Sequence, residues 1–216
     1  MSKDKVLLGF VMFPGFTGLD LIGPHEILSR SETKCLFVAK TLEPVISDRN
    51  VRVLPDVTFA GCPNLDVLIV PGGPGQTPAM EDAELLSFLV DQSTQARFAA
   101  SVCTGTLLLA QAGLLRDRKA ATHWLAREEL LRLGGIPSDE RVTWDGKFLS
   151  GAGVSAGIDM ALSLVTVLFG PEEAQRIQLA IEYDPQPPFD TGSPEKAPED
   201  LVNKLRSTSR FHNYPR

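Results

Sequence analysis

The sequence predicts an α/β fold of three layers, in which helices cover both faces of a mostly parallel sheet. Short apolar runs that suit strands alternate with segments of helical periodicity through most of the 216 residues. One run, residues 6–12, is apolar throughout, as expected of a strand buried on both faces. Because no internal repeat and no linker-like stretch divides the chain, we expect a single domain over residues 1–216.

The predicted strands are short and end at turn residues. The run at residues 66–70 stops at Pro71, and Gly146 lies between two later runs, as in a hairpin. Strands are therefore predicted at residues 6–12, 35–40, 66–70 and 98–102, followed by a hairpin of residues 142–145 and 148–150 whose turn is built on Asp145 and Gly146.

The predicted helices carry apolar residues three and four positions apart. Asp82 is suited to cap a helix, Pro171 to begin one, and the pair Gly134 and Gly135 to end one. Helices are predicted at residues 19–29, 85–95, 104–112, 122–133, 155–169 and 171–183.

From residue 184 the composition becomes rich in proline. Five prolines lie within residues 184–200. We expect an extended arm here, too short to be a domain, and the pattern leaves open whether it wraps the body of the protein or a second subunit.

The composition excludes several classes of partner. The formal net charge is −6 and no cluster of lysine and arginine stands out, so neither nucleic acid nor an anionic membrane is expected to bind. No apolar run approaches the roughly 18–20 residues that span a bilayer. The first five residues lead directly into the first predicted strand, which is too short for a signal peptide and lacks a cleavage site.

The cysteines indicate a reducing compartment. Cys35, Cys62 and Cys103 are odd in number and have no CxxC spacing. A disulfide framework and a zinc site are therefore not expected, and the cytoplasm is the predicted location.

Cys103 is the candidate nucleophile, because it lies where a buried strand is predicted to meet a helix. Reaction sites of open α/β sheets lie at the carboxyl ends of strands, and a helix N-terminus lowers the pKa of a thiol. Gly105 permits a tight turn that presents the sulfur to a cleft. The alternative is a packing cysteine, which is the interpretation of Cys35 in a strand and Cys62 in a loop.

Asp20 and the glycine pair Gly72 and Gly73 are the candidate partners of Cys103. Asp20 lies in an apolar stretch, where a carboxylate is costly without a partner, although a helix cap is an equally ordinary role. The amides of Gly72 and Gly73 would lie beside Cys103 across the top of the sheet, unless these glycines only form a turn.

Two other segments are weaker candidates for the pocket. His123 is either a base or a structural histidine at the start of its predicted helix. Gly153 and Val154 lie in a turn of GxGxxxG spacing, which suggests a dinucleotide site but comes late in the chain and lacks a suitable acidic residue at a strand end about 20 positions later. We interpret this turn as a wall of the substrate pocket and do not expect NAD.

Four motifs together resemble those of the PfpI-like superfamily, which has a flavodoxin-like fold similar to class I glutamine amidotransferases. The resemblance extends from about residue 6 to residue 198 and is strongest to its isonitrile hydratases, because Thr104 follows the cysteine and an aspartate stands at position 20. The pocket turn departs from the hydratases at Ala152 and Val154, which leaves the size of the substrate open. The motifs are residues 19–24 (LDLIGP), 70–73 (VPGG), 101–105 (SVCTG) and 121–124 (ATHW).

The resemblance implies that a homodimer hydrates an isonitrile to an N-substituted formamide, without a metal or an organic cofactor. Cys103 would attack the isonitrile carbon, Asp20 would carry the proton, and the Thr104 hydroxyl would position water or Asp20. The amides of Gly72, Gly73 and Thr104 would orient water or stabilise negative charge.

Other functions remain compatible with the same residues. The thiolate also suits a glyoxalase or deglycase that acts on reactive carbonyls, although such relatives tend to have Glu at the position of Asp20. A cysteine-based sensor of oxidative stress would instead oxidise Cys103 to the sulfinic acid. A module that only binds an effector is the third alternative, and we expect no room before Arg216 for the DNA-binding domain to which such modules are fused.

Overall fold

The computed structural model describes residues 5–211. The first four residues, which entered the argument against a signal peptide, lie outside this range. The described strands are β1 (Val6–Val11), β2 (Thr33–Ala39), β3 (Val45–Ile46), β4 (Arg52–Val53), β5 (Val57–Thr58), β6 (Val67–Val70), β7 (Phe98–Val102), β8 (Lys119–Ala120), β9 (Ile136–Pro137), β10 (Val142–Asp145) and β11 (Phe148–Gly151).

The described helices include all six that the sequence predicts, one of them in altered form. They are α1 (Gly18–Leu28), α2 (Gln76–Ala79), α3 (Ala83–Gln95), α4 (Gly105–Gln111), α5 (Arg127–Arg132), α6 (Ala156–Phe169), α7 (Pro171–Ala180) and α8 (Glu199–Ser207), with a 3-10 turn at Trp124–Ala126. None of these helices is both long and apolar enough to cross a membrane.

The main sheet has seven strands in the order β10-β11-β7-β6-β1-β2-β5 within the described residues. Its neighbouring strands pair in parallel except for β10, which runs antiparallel to β11. The central strands β6 and β7 are almost entirely buried, because apolar side chains fill both of their faces. The predicted three-layer α/β fold is confirmed.

Two groups of helices form the outer layers. Helix α6 packs against both α1 and α7 in one group, and α4 packs against both α3 and α5 in the other. Asp82 caps α3 as predicted, since its Oδ1 accepts hydrogen bonds from the amides of Glu84 (3.1 Å) and Leu85 (3.3 Å). The order of the strands brings the carboxyl ends of β6, β7 and β11 side by side, and the candidate residues meet there.

The predicted helix at 122–133 is wrong in its first half. His123 has extended backbone angles (φ −54°, ψ 135°) and precedes the 3-10 turn, and the α-helix begins only at Arg127. The reason is tertiary: the Thr122 hydroxyl donates a 2.9 Å hydrogen bond to the carbonyl of Cys103, which holds this segment against the sheet.

Two further expectations need correction. The hairpin turn lies one residue later than predicted, since Asp145 pairs with Phe148 and the two turn residues are Gly146 (φ +60°) and Lys147. Residues 184–198 contain neither helix nor strand, but α8 begins at Glu199, where the sequence pattern suggested the end of the arm. The prolines before this helix favoured the prediction of an extended arm up to about residue 200, and the helix was therefore not predicted.

Candidate active site

Cys103 forms the turn between β7 and α4 and has a backbone φ of +57°. A residue with a Cβ rarely occupies this left-handed region, and such strain is typical of nucleophiles held on a strand-to-helix turn. Its amide donates a 3.0 Å hydrogen bond to the carbonyl of Gly151, and its carbonyl accepts from Thr122. These contacts fix the turn on both sides, so the sulfur is held at the carboxyl end of the sheet.

Asp20 reaches the same place from the first turn of α1, and its side chain is fully buried. The backbone amide of Gly72 donates a 2.9 Å hydrogen bond to Oδ2. The other oxygen, Oδ1, is buried and has no nitrogen or oxygen partner in the part of the chain that the structure describes. The thiol of Cys103 is the side chain that interacts with this carboxyl.

The pair of Asp20 and Cys103 favours a shared proton over two negative charges. The pKa of the Asp20 carboxyl is raised from 3.8 to about 7, because the effect of burial outweighs the hydrogen bond from Gly72, which lowers the pKa, and the charge of Asp48 adds to the effect of burial. Burial also raises the pKa of the Cys103 thiol, and the negative charge of Asp20 adds to this effect. When one member of the pair ionises, the other therefore holds its proton.

The predicted lowering of the Cys103 pKa by the helix N-terminus is outweighed in the structure. The side chain is only 5% exposed, so desolvation dominates, and α4 has only seven residues. The groups that lower the pKa of the thiol are the amide and hydroxyl of Thr104 and the charge of Arg210.

The loop after β6 closes over Thr104. A Cβ on Gly72 would lie 2.5 Å from the amide nitrogen of Thr104, so only glycine permits this approach. Gly73 has a φ of +127° and donates a 3.0 Å hydrogen bond to the Thr104 hydroxyl. Both glycine amides are thus engaged, with Asp20 and Thr104 respectively, and their predicted role toward a substrate remains a prediction.

The weaker candidates lie at the same end of the sheet. The Nδ1 atom of His123 accepts a hydrogen bond from the amide of Leu125 (3.3 Å), and burial lowers the pKa of the imidazole. Gly153 and Val154 follow β11, whose last residue accepts the hydrogen bond from the Cys103 amide. A part for these residues in the pocket remains a prediction.

Arg210 is the site residue that sequence reasoning missed. Its Nη2 atom donates hydrogen bonds to the carbonyl of Gly73 (3.1 Å), to Oε1 of Gln76 (3.2 Å) and to the Thr104 hydroxyl (3.3 Å). No local pattern marks this arginine, because it lies 106 positions after Thr104 and only the folded chain brings the two together.

A cavity of about 1010 Å³ adjoins this region, between the 3-10 turn and α8. Its lining includes Trp124, which follows His123, and Phe211, which follows Arg210. Cys103, Asp20 and Thr104 do not line this cavity.

Together the fold and the site define a class: an α/β protein with a strained strand-to-helix turn that holds a buried cysteine against a buried carboxyl. The profile of the DJ-1/PfpI family matches residues 4–167, and the chain belongs to this family. The resemblance inferred from the four sequence motifs is thereby confirmed.

Several relatives cover most of the chain. A protein named isonitrile hydratase from Pseudomonas putida is 46% identical over 200 residues, which is 92% of this chain and 88% of the relative. A protein named glutathione-independent glyoxalase DJR-1.2 from Caenorhabditis elegans is 24% identical over 74% of this chain and 86% of its own. The crystal structure of a ThiJ/PfpI family protein from Pseudomonas syringae superposes with a TM-score of 0.91 at 39% identity, covering 99% of this chain and 90% of the other.

Proposed function

We propose that this protein is an enzyme that hydrates an isonitrile to an N-substituted formamide, with Cys103 as the nucleophile and Asp20 as the proton carrier. The observation that carries the proposal is the buried Asp20–Cys103 pair, which holds one transferable proton beside a nucleophilic sulfur. The Pseudomonas putida relative, an isonitrile hydratase by name, supports the same reaction.

The first step forms a thioimidate. The proton of the Cys103 thiol passes to the Asp20 carboxylate, the sulfur attacks the terminal carbon of R–NC, and Asp20 delivers the proton to that carbon. The product, R–N=CH–S–Cys103, contains every atom of the thiol and the isonitrile. The pKa of about 7 suits Asp20 to both transfers near neutral pH.

The second step consumes one water. Asp20, again a carboxylate, accepts a proton from the water as its oxygen adds to the thioimidate carbon, and passes this proton to the nitrogen. The carbon–sulfur bond then breaks while the remaining hydroxyl proton passes through Asp20 to the sulfur, which releases R–NH–CHO and restores the thiol of Cys103. The net reaction is the addition of water to the isonitrile.

Thr104 is placed to support both steps. Its amide and hydroxyl hydrogen-bond with the Cys103 sulfur and lower the pKa of the thiol. An amide that also stabilises developing negative charge contributes about 2.7–4 kcal/mol in comparable sites.

We further infer that the enzyme works as a homodimer in the cytoplasm. Leu19 and Ile22 of α1 are each at least 40% exposed, and so are Ile46 and Val51 of the β3–β4 hairpin. The hairpin adjoins the entry to α1, since the Gly15 amide donates a 2.8 Å hydrogen bond to the carbonyl of Ile46. Such an apolar surface suits a second copy of the chain, and three free cysteines suit a reducing compartment.

The proposal is tested by incubating an aromatic isonitrile with wild type and with Cys103→Ala, and following the formamide by mass spectrometry. Cys62→Ala is the matched control, because it removes a half-buried cysteine from a loop away from the site. Formamide from wild type and the control, but not from Cys103→Ala, would support the proposal. No formamide from wild type would overturn it.

A glyoxalase activity is the second candidate, favoured by the similarity to the Caenorhabditis elegans glyoxalase. The same variants incubated with methylglyoxal distinguish it, since lactate would form in place of a formamide. The burial and raised pKa of Cys103 argue against a third role as a readily oxidised sensor, because oxidation follows exposure and thiolate character.

A further inference from the structure

Three buried acceptors in the site converge on one nitrogen of Arg210. They are the carbonyl of Gly73, Oε1 of Gln76 and the hydroxyl of Thr104, all within 3.3 Å of Nη2. The side chains of Gln76 and Thr104 are only 1% and 3% exposed, and a buried polar atom needs a hydrogen-bond partner. These three acceptors therefore form a small polar site that fits a cationic hydrogen-bond donor reaching in from the surface.

Arg210 reaches these three acceptors from the segment that follows α8. Much of its side chain is exposed, but the guanidinium carbon lies 4.6 Å from the centre of the Phe211 ring. The stacked ring and the three acceptors hold the planar group from two sides. The guanidinium group is thus held in place although the residue as a whole is exposed.

The hydrogen bonds around Thr104 determine where its hydroxyl proton points. A hydroxyl oxygen has two lone pairs and one proton. The lone pairs of Thr104 accept from the Gly73 amide (3.0 Å) and from Arg210 (3.3 Å). The proton has two acceptors within reach: the Gly73 carbonyl, which is 3.4 Å away and also accepts from Arg210, and the sulfur of Cys103, with which the Thr104 side chain interacts.

We propose that Arg210 is a positioning residue of this site, which acts by turning the hydroxyl of Thr104 into a hydrogen-bond donor toward the sulfur of Cys103. The sulfur is the acceptor that gains most from this donor, because a hydrogen bond to a thiolate is charge-assisted. The effect of Arg210 on turnover rests on the proposed function. Its effect on the Cys103 thiol does not, because the hydrogen bonds are present without a substrate.

Other ionisable groups face the sulfur and enter any pH dependence. Asp20 approaches from α1 and raises the pKa of Cys103, and Asp48 acts on Asp20 in turn. The pKa of His123 is lowered by burial first and then by the charge of Arg210. Removing Arg210 therefore affects more than one group, and the test must isolate the route through Thr104.

The test is the pH dependence of Cys103 modification by methyl methanethiosulfonate, followed by mass spectrometry in the absence of substrate. The midpoint of this profile reports the formation of thiolate, whereas the plateau also reports access. In Arg210→Gln we expect the midpoint to rise by about one pH unit, which is a tenfold loss of thiolate at a pH below the midpoint. Lys204→Gln in α8 is the matched control for the lost charge, and its midpoint should equal that of wild type.

A double-variant cycle decides whether Arg210 acts through Thr104. Thr104→Val alone should raise the midpoint, and adding Arg210→Gln should then raise it by clearly less than Arg210→Gln does in wild type, because only the direct effect of the Arg210 charge on the sulfur remains once the hydroxyl is absent. Fully additive shifts, or a wild-type midpoint in Arg210→Gln, would overturn the proposal. Failure of isonitrile turnover in wild type would sink the proposed function but leave this result unchanged.

Discussion

The backbone amide of Gly72 holds the carboxyl of Asp20 by a 2.9 Å hydrogen bond between residues 52 positions apart. This bond ties the first turn of α1 to the loop after β6, and the Cys103 turn lies beside both. Because the amide favours the ionised carboxylate while burial disfavours it, the pKa of Asp20 settles at about 7 and not higher. Four expected outcomes follow from this arrangement and from the surface around it.

Asp20→Asn should preserve the fold and lower kcat for isonitrile hydration by about 10²–10⁴-fold. The asparagine amide keeps the shape of the carboxyl, but it cannot carry a proton between sulfur, carbon and water. Steady-state kinetics with an aromatic isonitrile, beside circular dichroism of both proteins, provides the measurement. Turnover within a few-fold of wild type would remove Asp20 from the acid/base role.

Asp20 should also make stability depend on pH. Its pKa is about 7 in the folded protein and 3.8 in the unfolded reference, so the folded state binds the proton more tightly. The stabilisation from protonated Asp20 is complete below pH 3.8 and is lost as the pH rises through 7, by about 4 kcal/mol in total.

Urea denaturation of wild type and Asp20→Asn between pH 5 and pH 8 measures this loss. The free energy of unfolding of wild type should fall relative to that of the variant across this range. If the two stabilities instead run parallel with pH, the carboxyl is not protonated in the folded protein near neutrality.

Gly72→Ala should destabilise the protein by about 1–3 kcal/mol, because the added Cβ would lie 2.5 Å from the Thr104 amide nitrogen and the backbone must shift. The shift would also lengthen the hydrogen bond to Asp20, so kcat should fall. Gly192→Ala is the matched control, since no atom lies within 4 Å of its added Cβ. Equal stability of the two variants would show that the loop tolerates the methyl group.

Ile46→Glu should dissociate the dimer, because it places a charge within the apolar surface formed by α1 and the β3–β4 hairpin. A dissociation constant raised at least about thirtyfold is expected, which corresponds to about 2 kcal/mol. Light scattering across a concentration series provides the measurement, with Leu179→Glu as a control at an apolar residue that is 82% exposed on α7. A monomeric wild type, or dissociation of the control alone, would contradict the assignment of this surface.

The features that the sequence alone predicted are those set by local physical chemistry. The apolar run at β1 and the Asp82 cap of α3 were predicted because burial pattern and capping depend on adjacent residues. The placement of Cys103 at a strand-to-helix turn was likewise predicted from its neighbours, since small residues around it permit the strained φ. The family motifs also lie within short segments and needed no structure.

The tertiary structure decided what depends on residues far apart in the chain. Thr122 bonds to the Cys103 carbonyl and so prevents the helix that periodicity predicted, and Arg210 reaches Thr104 across 106 positions. The pKa of Cys103 was predicted in the wrong direction, because helix ends can be recognised in a sequence whereas desolvation cannot. The sequence by itself thus determined the family and the candidate groups for the chemistry. Only the folded chain determined the burial and the partners of those groups, since both depend on contacts between residues far apart in the chain.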